Sequence, residues 1–119
     1  VILGLTFKEN CPDTRNSKVN DIIKHLNSYG IQPVVVDPWA SERDAMHEYG
    51  VTLTRLEDVR DADCVIVAVA HNEFKAMTLD ELKKLYKKCG SDAEKVLIDV
   101  KGLYPIEDLR ASGLKWWRL

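Results

Sequence analysis

CVIVAVAHN, residues 64–72, is the stretch on which the fold turns. Across 64–70 every side chain is apolar or small, valine is frequent, and the polar pair His71-Asn72 ends the run. It is too short for a helix and does not alternate with polar residues. It therefore reads as a strand covered on both faces, as in a parallel sheet. Residues 1–5, 33–36 and 96–100 repeat this character. Helical spacing fills the gaps. Ser17 is placed to cap a helix in which Val19, Ile22, Ile23 and Leu26 share a face, with Gly30 beyond its end. Ser41 starts a second helix that runs to about Tyr49 and stops at Gly50, and Thr78 a third that runs to Lys88 with Leu79, Leu82, Leu85 and Tyr86 on one side. Residues 51–53 read as a weaker strand, 56–59 as a turn or short helix, 106–111 as a last helix and 114–117 as a terminal strand.

Alternation of strands and helices predicts an α/β fold: a doubly wound, mainly parallel, Rossmann-like sheet with helices on both faces, a three-layer α/β/α arrangement over residues 1–119 as one domain. In such sheets ligands bind beyond the carboxyl ends of the strands, near the point where strand order reverses. Thr6-Phe7-Lys8, Asp37-Pro38, His71-Asn72 and Lys101 follow successive strands and should share that edge.

Composition limits the function classes. A chain of 119 residues with 45% hydrophobic side chains fills one core, and 17 Lys+Arg against 19 Asp+Glu leave a net charge of -2, with no electrostatic footprint for nucleic acid or an anionic membrane. No segment approaches the roughly 20 apolar residues of a membrane span and no signal peptide is recognisable, so a soluble, cytoplasmic protein is expected. Cys11, Cys64 and Cys89 form no CxxC pair, which argues against a disulfide framework or a metal site. The chain opens inside an apolar strand with no initiator Met, and is expected to be part of a longer protein.

Three ligand classes fit a sheet edge of this kind. For a dinucleotide, Asp37 closes the second strand where an acid would hold the ribose, but the first turn has Gly4 alone in place of GxGxxG, with Phe7 and Lys8 where small residues should stand. For a phospho-acceptor domain, Lys101 is well placed, but Thr6 and Lys8 replace the acids that would hold magnesium. For an anionic nucleotide headgroup, Lys8 and Lys101 supply point charges for phosphate oxygens from separate strands, and the local charges favour this class. The loop GLTFKENCPDTRNS, residues 4–17, then acquires a purpose. At about ten residues between strand and helix it exceeds the usual roughly two to six, and long loops in compact domains tend to be functional. Pro12 stiffens it, Asp13 is suited to an Asx turn, and Arg15 is presented just before the helix, where the bland alternative is a solvated terminal charge.

The stretches GLTFKENCPDTRNSK, VVVDPWA, VAVAHNEF and IDVKG together resemble the C-terminal domain of the UDP-glucose/GDP-mannose dehydrogenase family, over essentially the whole chain and with a specific FKxNxxDxRxS opening. AHNEF and the Cys-Pro of the loop are most similar to members that oxidise UDP-N-acetylhexosamines for Vi-antigen or O-antigen polysaccharides. The resemblance implies an NAD-binding N-terminal domain and a helical middle region outside this chain, a homodimer formed through that middle region, and oxidation of the sugar C6 alcohol twice, to a uronic acid, with two NAD⁺ and a catalytic cysteine thiol. It implies that Phe7 and Lys8 contact the UDP-sugar and that Arg15 reaches toward NAD across the domain cleft. Lys101 stands where the family commonly has an arginine beside the substrate. The catalytic cysteine segment has no counterpart here, so no catalytic residue is assigned and the chain alone is expected to be inactive. Cys11 lies beside Lys8 and Arg15 but has no base near it in sequence. His25 and His47 fall in helical patterns, whereas His71, at a strand end, is suited either to touch ligand or to orient the turn at 72–74. The rival reading is a non-enzymatic interaction domain of the same shape, binding a protein through Trp39 or Trp116.

Overall fold

The computed structural model describes residues 1–88 and 90–119; Cys89 lies outside the described residues. Its sheet has five parallel strands in the order β2-β1-β3-β4-β5, with β1 Ile2–Leu3, β2 Val35–Val36, β3 Cys64–Val67, β4 Val96–Asp99 and β5 Lys115–Arg118. Beyond β2, Leu53 forms a single parallel bridge to Val35, so the weaker strand expected at 51–53 is reduced to one rung. Strand order reverses between β1 and β3, which puts the switch point beside the loop at 4–17.

The two-residue alternation of the strands splits the core. Leu3, Val36, Val65, Val67 and Leu97 face Phe74, Leu82 and Leu109 of α3 (Asn72–Lys75), α4 (Leu79–Lys83) and α5 (Ile106–Ser112). Ile2 and Val35 face the other way, onto Val19 and Ile23 of α1 (Val19–Ser28) and Ala45 of α2 (Glu42–Tyr49). Helices therefore cover both faces, as the sequence predicts. On the α1/α2 side the cover reaches only part of the sheet. Ile66 packs at the margin of that cluster, Ile98 in β4 is half-buried, and Trp117 in β5, which pairs with Ile98, is 66% exposed. The reading of 96–100 as a strand covered on both faces, with Ile98 buried in the central sheet, is corrected accordingly: Ile98 is a strand residue but only half-buried, because the helices of its face stand over β1 and β2.

Two further differences have local causes. The third helix ends at Lys83 and not at Lys88, because the backbone of Leu85, Tyr86 and Lys87 turns away to bond Ala62, whose N–H donates to Leu85 O at 3.0 Å and whose carbonyl accepts from Lys87 N at 3.1 Å. This draws Tyr86 into the core. Ser17 is not the residue at the cap of α1, which is Lys18; its hydroxyl accepts from Val19 N at 3.2 Å and donates to Leu5 O at 2.5 Å, tying the helix start to the end of β1. Ser41 caps α2 as expected, accepting from Asp44 N at 3.1 Å, and Gly50 ends that helix in the left-handed conformation.

Candidate functional site

Beyond β1 the chain cannot continue as a strand. Gly4 adopts φ +108°, and a Cβ there would lie 2.5 Å from Val69 Cβ, so only glycine lets β1 and the end of β3 approach this closely. From Leu5 onward the backbone is held by a carboxylate. Asp37, buried after β2, accepts from Leu5 N at 2.6 Å and Thr6 N at 2.9 Å on Oδ2, and from Trp39 N at 2.8 Å and Ala40 N at 3.0 Å on Oδ1. Burial pushes its pKa up, but the hydrogen bonds from His71 and from the backbone of Leu5, Thr6 and Trp39 outweigh burial and hold it below the usual carboxylate value. Every oxygen of Asp37 is committed to the protein. It is not free to bind a ribose, so the dinucleotide reading fails on geometry as well as on the missing glycines.

His71, fully buried, extends this network from β3. Its Nδ1 accepts from Asn10 N at 3.0 Å, which puts the ring proton on Nε2, facing Asp37 Oδ2 at 3.0 Å and Thr6 Oγ1 at 3.2 Å. The Thr6 hydroxyl in turn donates to Lys8 O at 2.9 Å. Trp39 stacks on the imidazole, with centroids 6.1 Å apart, and its indole N–H donates to Glu73 at 2.9 Å. His71 thus orients a turn and does not face outward toward a ligand.

The expected site residues stand around this framework. Phe7 is 58% exposed although its N–H is anchored to Asp13 O at 2.8 Å, and Lys8 beside it is exposed. The loop is fixed at its far end too: Thr14 Oγ1 donates to Glu48 Oε2 at 3.0 Å, and the Tyr49 hydroxyl donates to Thr14 O and accepts from Ser17 N at 3.0 Å. Asp13 makes the expected Asx-type turn to Arg15 N at 2.9 Å and also receives Arg15 Nε at 3.0 Å and Nη2 at 3.1 Å. These bonds from Arg15 hold the Asp13 carboxyl below its ordinary pKa, and Arg15 itself is raised. Arg15 is exposed, with Nη1 outside the pair. Lys101 follows β4 on a turn gripped by buried Asp99, whose oxygens accept from Leu103 N and Tyr104 N, each at 3.0 Å. Among the described residues neither the Lys8 nor the Lys101 ammonium takes a partner. The two follow strands separated by β3, and β1 and β4 themselves lie two inter-strand steps, roughly 10 Å, apart.

Cys11 is half-buried in the loop, and none of the hydrogen bonds among the described residues involves its thiol. Among the described residues no group of three or more His, Cys, Asp or Glu could hold a metal ion, and no helix is long and apolar enough to cross a membrane. Sequence reading passed over Asp99 and Asn10, and weighed Asp37 only as the ribose acid of a dinucleotide class that the missing glycines already disfavoured. An acid at the carboxyl end of a strand is visible in the sequence; whether it faces ligand or backbone is not.

The sequence model described as the UDP-glucose/GDP-mannose dehydrogenase family, UDP binding domain, matches residues 1–105. A UDP-N-acetyl-D-glucosamine 6-dehydrogenase of Pseudomonas aeruginosa is 52% identical over 103 residues, 87% of this chain and 23% of the relative. One of the same name from Salmonella typhi is 37% identical over 90% of this chain and 24% of its own length. The chain thus spans about a quarter of the relatives it matches. A structure described as UDP-D-ManNAc dehydrogenase from Pyrococcus horikoshii superposes with a TM-score of 0.73 over 98% of this chain and 24% of that one, at 23% identity, a likeness of fold. With the family's domain matched from β1 through the turn that carries Lys101, this chain belongs to the UDP-glucose/GDP-mannose dehydrogenase family.

Proposed function

We propose that the chain is the nucleotide-sugar-binding domain of an NAD-dependent UDP-sugar 6-dehydrogenase, which oxidises the sugar C6 alcohol to a uronic acid for surface polysaccharide biosynthesis. One observation carries the reading: Phe7, Lys8 and Lys101 stand exposed at one sheet edge, both ammonium groups without partners among the described residues, on turns held by the buried carboxylates Asp37 and Asp99. Lys8 and Lys101 meet the anionic UDP-sugar as point charges, and Phe7 offers it an aromatic face. The names of the Pseudomonas and Salmonella relatives support an N-acetylated hexosamine as the sugar.

NAD⁺, held outside this chain, would supply the hydride acceptor for oxidation of the C6 alcohol. The first turn of this chain does not fit that cofactor. Asp37 is saturated and the first turn carries no GxGxxG, so this domain offers no conventional NAD site, and the family resemblance puts NAD on the N-terminal domain and the reactive thiol outside this chain. Arg15 reaches toward NAD across the cleft, with Nη1 as its free edge. The cytoplasm, where nucleotide sugars and NAD are available, and a homodimer formed through the middle region complete the reading. Against a protein-interaction domain stands the engagement of Trp39 with Glu73 and His71, and the packing of Trp116 on the core.

Steady-state kinetics of the full-length enzyme test the assignment. Truncating one partner of a desolvated charged hydrogen bond costs about 2–5 kcal/mol, so Lys8→Ala should lose roughly 30-fold or more in kcat/KM for the sugar nucleotide. A variant with unchanged kcat/KM would remove Lys8 from the site.

A further inference from the structure

Asn10 is the one residue of the 4–17 loop with three hydrogen bonds to the turn after β3, all across a sequence separation of more than sixty residues. Its N–H donates to His71 Nδ1 at 3.0 Å, its Nδ2 donates to Asn72 Oδ1 at 3.1 Å, and its Oδ1 accepts from Asn72 N at 2.9 Å. It holds φ +54°, a left-handed conformation that asparagine tolerates better than most side chains. The last of these bonds also satisfies the N–H at the start of α3. The imidazole on which Asn10 rests is fixed from beneath by Asp37 and Thr6, and Thr6 holds the carbonyl of Lys8. The chain from Thr6 to Asn10, with Phe7 and Lys8 at its exposed crest, is thereby pinned at both ends across the switch point between β1 and β3.

We infer that Asn10, His71 and Asn72 form a latch that positions Phe7 and Lys8 for the nucleotide sugar, with His71 and Asn10 acting as positioning residues that do not themselves touch ligand. This rests on the assignment of Phe7 and Lys8 to the nucleotide-sugar site. The latch contributes by preorganisation: a loop already held in its binding shape loses less conformational freedom when the ligand arrives. Its removal should therefore weaken ground-state binding, raising KM for the sugar nucleotide while leaving kcat and the KM for NAD⁺ close to their starting values.

The two ring nitrogens make separable predictions. In His71→Asn the side-chain oxygen can occupy the place of Nδ1 and still accept from Asn10 N–H. In His71→Gln the amide nitrogen can replace Nε2–H toward Asp37, but the acceptor for Asn10 is gone. Asn10→Gly removes both side-chain bonds at a position whose positive φ glycine adopts freely, so it tests the latch without adding backbone strain. Asn10→Asp retains the acceptor for Asn72 N–H, and the Asn72 amide can turn to donate to the second oxygen.

The experiment is steady-state kinetics of these variants and of Lys8→Ala in the full-length enzyme, with UDP-N-acetylglucosamine and NAD⁺ varied in turn and thermal unfolding recorded for each. Asn10→Gly and His71→Gln should raise the sugar-nucleotide KM about tenfold, the order expected for lost hydrogen bonds to a held backbone. Asn10→Asp and His71→Asn should recover most of that loss. If Lys8→Ala raises KM or lowers kcat/KM while Asn10→Gly matches the unaltered enzyme, the latch is overturned and the site stands. If Lys8→Ala is also without effect, the site assignment itself fails and the latch with it. Should His71→Gln not fold, Asn10→Gly decides the matter alone, because Asn10 is only half-buried and glycine adopts its positive φ freely.

Discussion

Replacing Asp37 by Asn keeps the shape of the side chain and removes one of its two acceptor oxygens. In the native protein those oxygens serve Leu5, Thr6 and His71 on one side and Trp39 and Ala40 on the other. Whichever way the new amide turns, its NH2 group faces donors. The less costly orientation keeps the oxygen toward Leu5, Thr6 and His71 and strands the N–H groups of Trp39 and Ala40. A fully buried donor left unsatisfied costs about 1–3 kcal/mol, and because the Trp39 and Ala40 N–H groups are only partly buried the loss is about 2–4 kcal/mol. A domain of 119 residues has a total stability of roughly 6–18 kcal/mol, so a large share would go. Urea unfolding followed by tryptophan fluorescence measures it: with a slope of about 2 kcal/mol/M the midpoint should fall by about 1–2 M, the slope unchanged. The same variant tests the sign of the pH dependence. Because the Asp37 pKa is depressed in the folded protein, its contribution is present above the unfolded carboxylate value near 4 and is lost as pH falls toward and through the lower folded value. Asp37→Asn should therefore flatten the acid side of the stability profile. A midpoint shift below about 0.5 M, or an acid limb as steep as before, would refute the view that this carboxylate holds the edge together.

Gly4→Ala should destabilise by more than about 3 kcal/mol, from φ +108° and from overlap with Val69, whereas Gly30→Ala, with φ +78° and nothing within 4 Å, should cost only about 1–2 kcal/mol; paired urea curves compare them. Leu97→Ala, a fully buried side chain at the centre of the sheet, should cost about 2–5 kcal/mol by the same measurement. Asp99→Ala should free the backbone of Leu103 and Tyr104, and amide hydrogen exchange should rise over residues 100–104 while β4 itself stays protected. The chain of residues 1–119 should reduce no NAD⁺ in the presence of a UDP-sugar, and Cys11→Ser should change nothing; reduction abolished by that substitution would place the reactive thiol here after all.

Strand and helix order was legible in the sequence because it follows from short-range periodicity: the unbroken apolar run at 64–70, the helical recurrence of Val19, Ile22, Ile23 and Leu26, and the Ser41 cap with its Gly50 stop each act within a few residues. That Phe7, Lys8 and Lys101 follow strands at one sheet edge was legible too, since the carboxyl end of every strand in a parallel sheet lies on the same side. Tertiary structure alone decided what the polar residues at that edge do. Asp37 and His71 are 34 positions apart and Asn10 and His71 are 61 apart, and they meet because the strand order sets β2, β1 and β3 side by side. Nothing local distinguishes an acid that binds ligand from one that binds backbone N–H groups; burial does, and burial belongs to the packed sheet. For the same reason periodicity carried the third helix five residues too far. The pairing of Tyr86 with Ala62 is a long-range bond, and it overrides a helical preference whose strength is only tenths of a kcal/mol per residue.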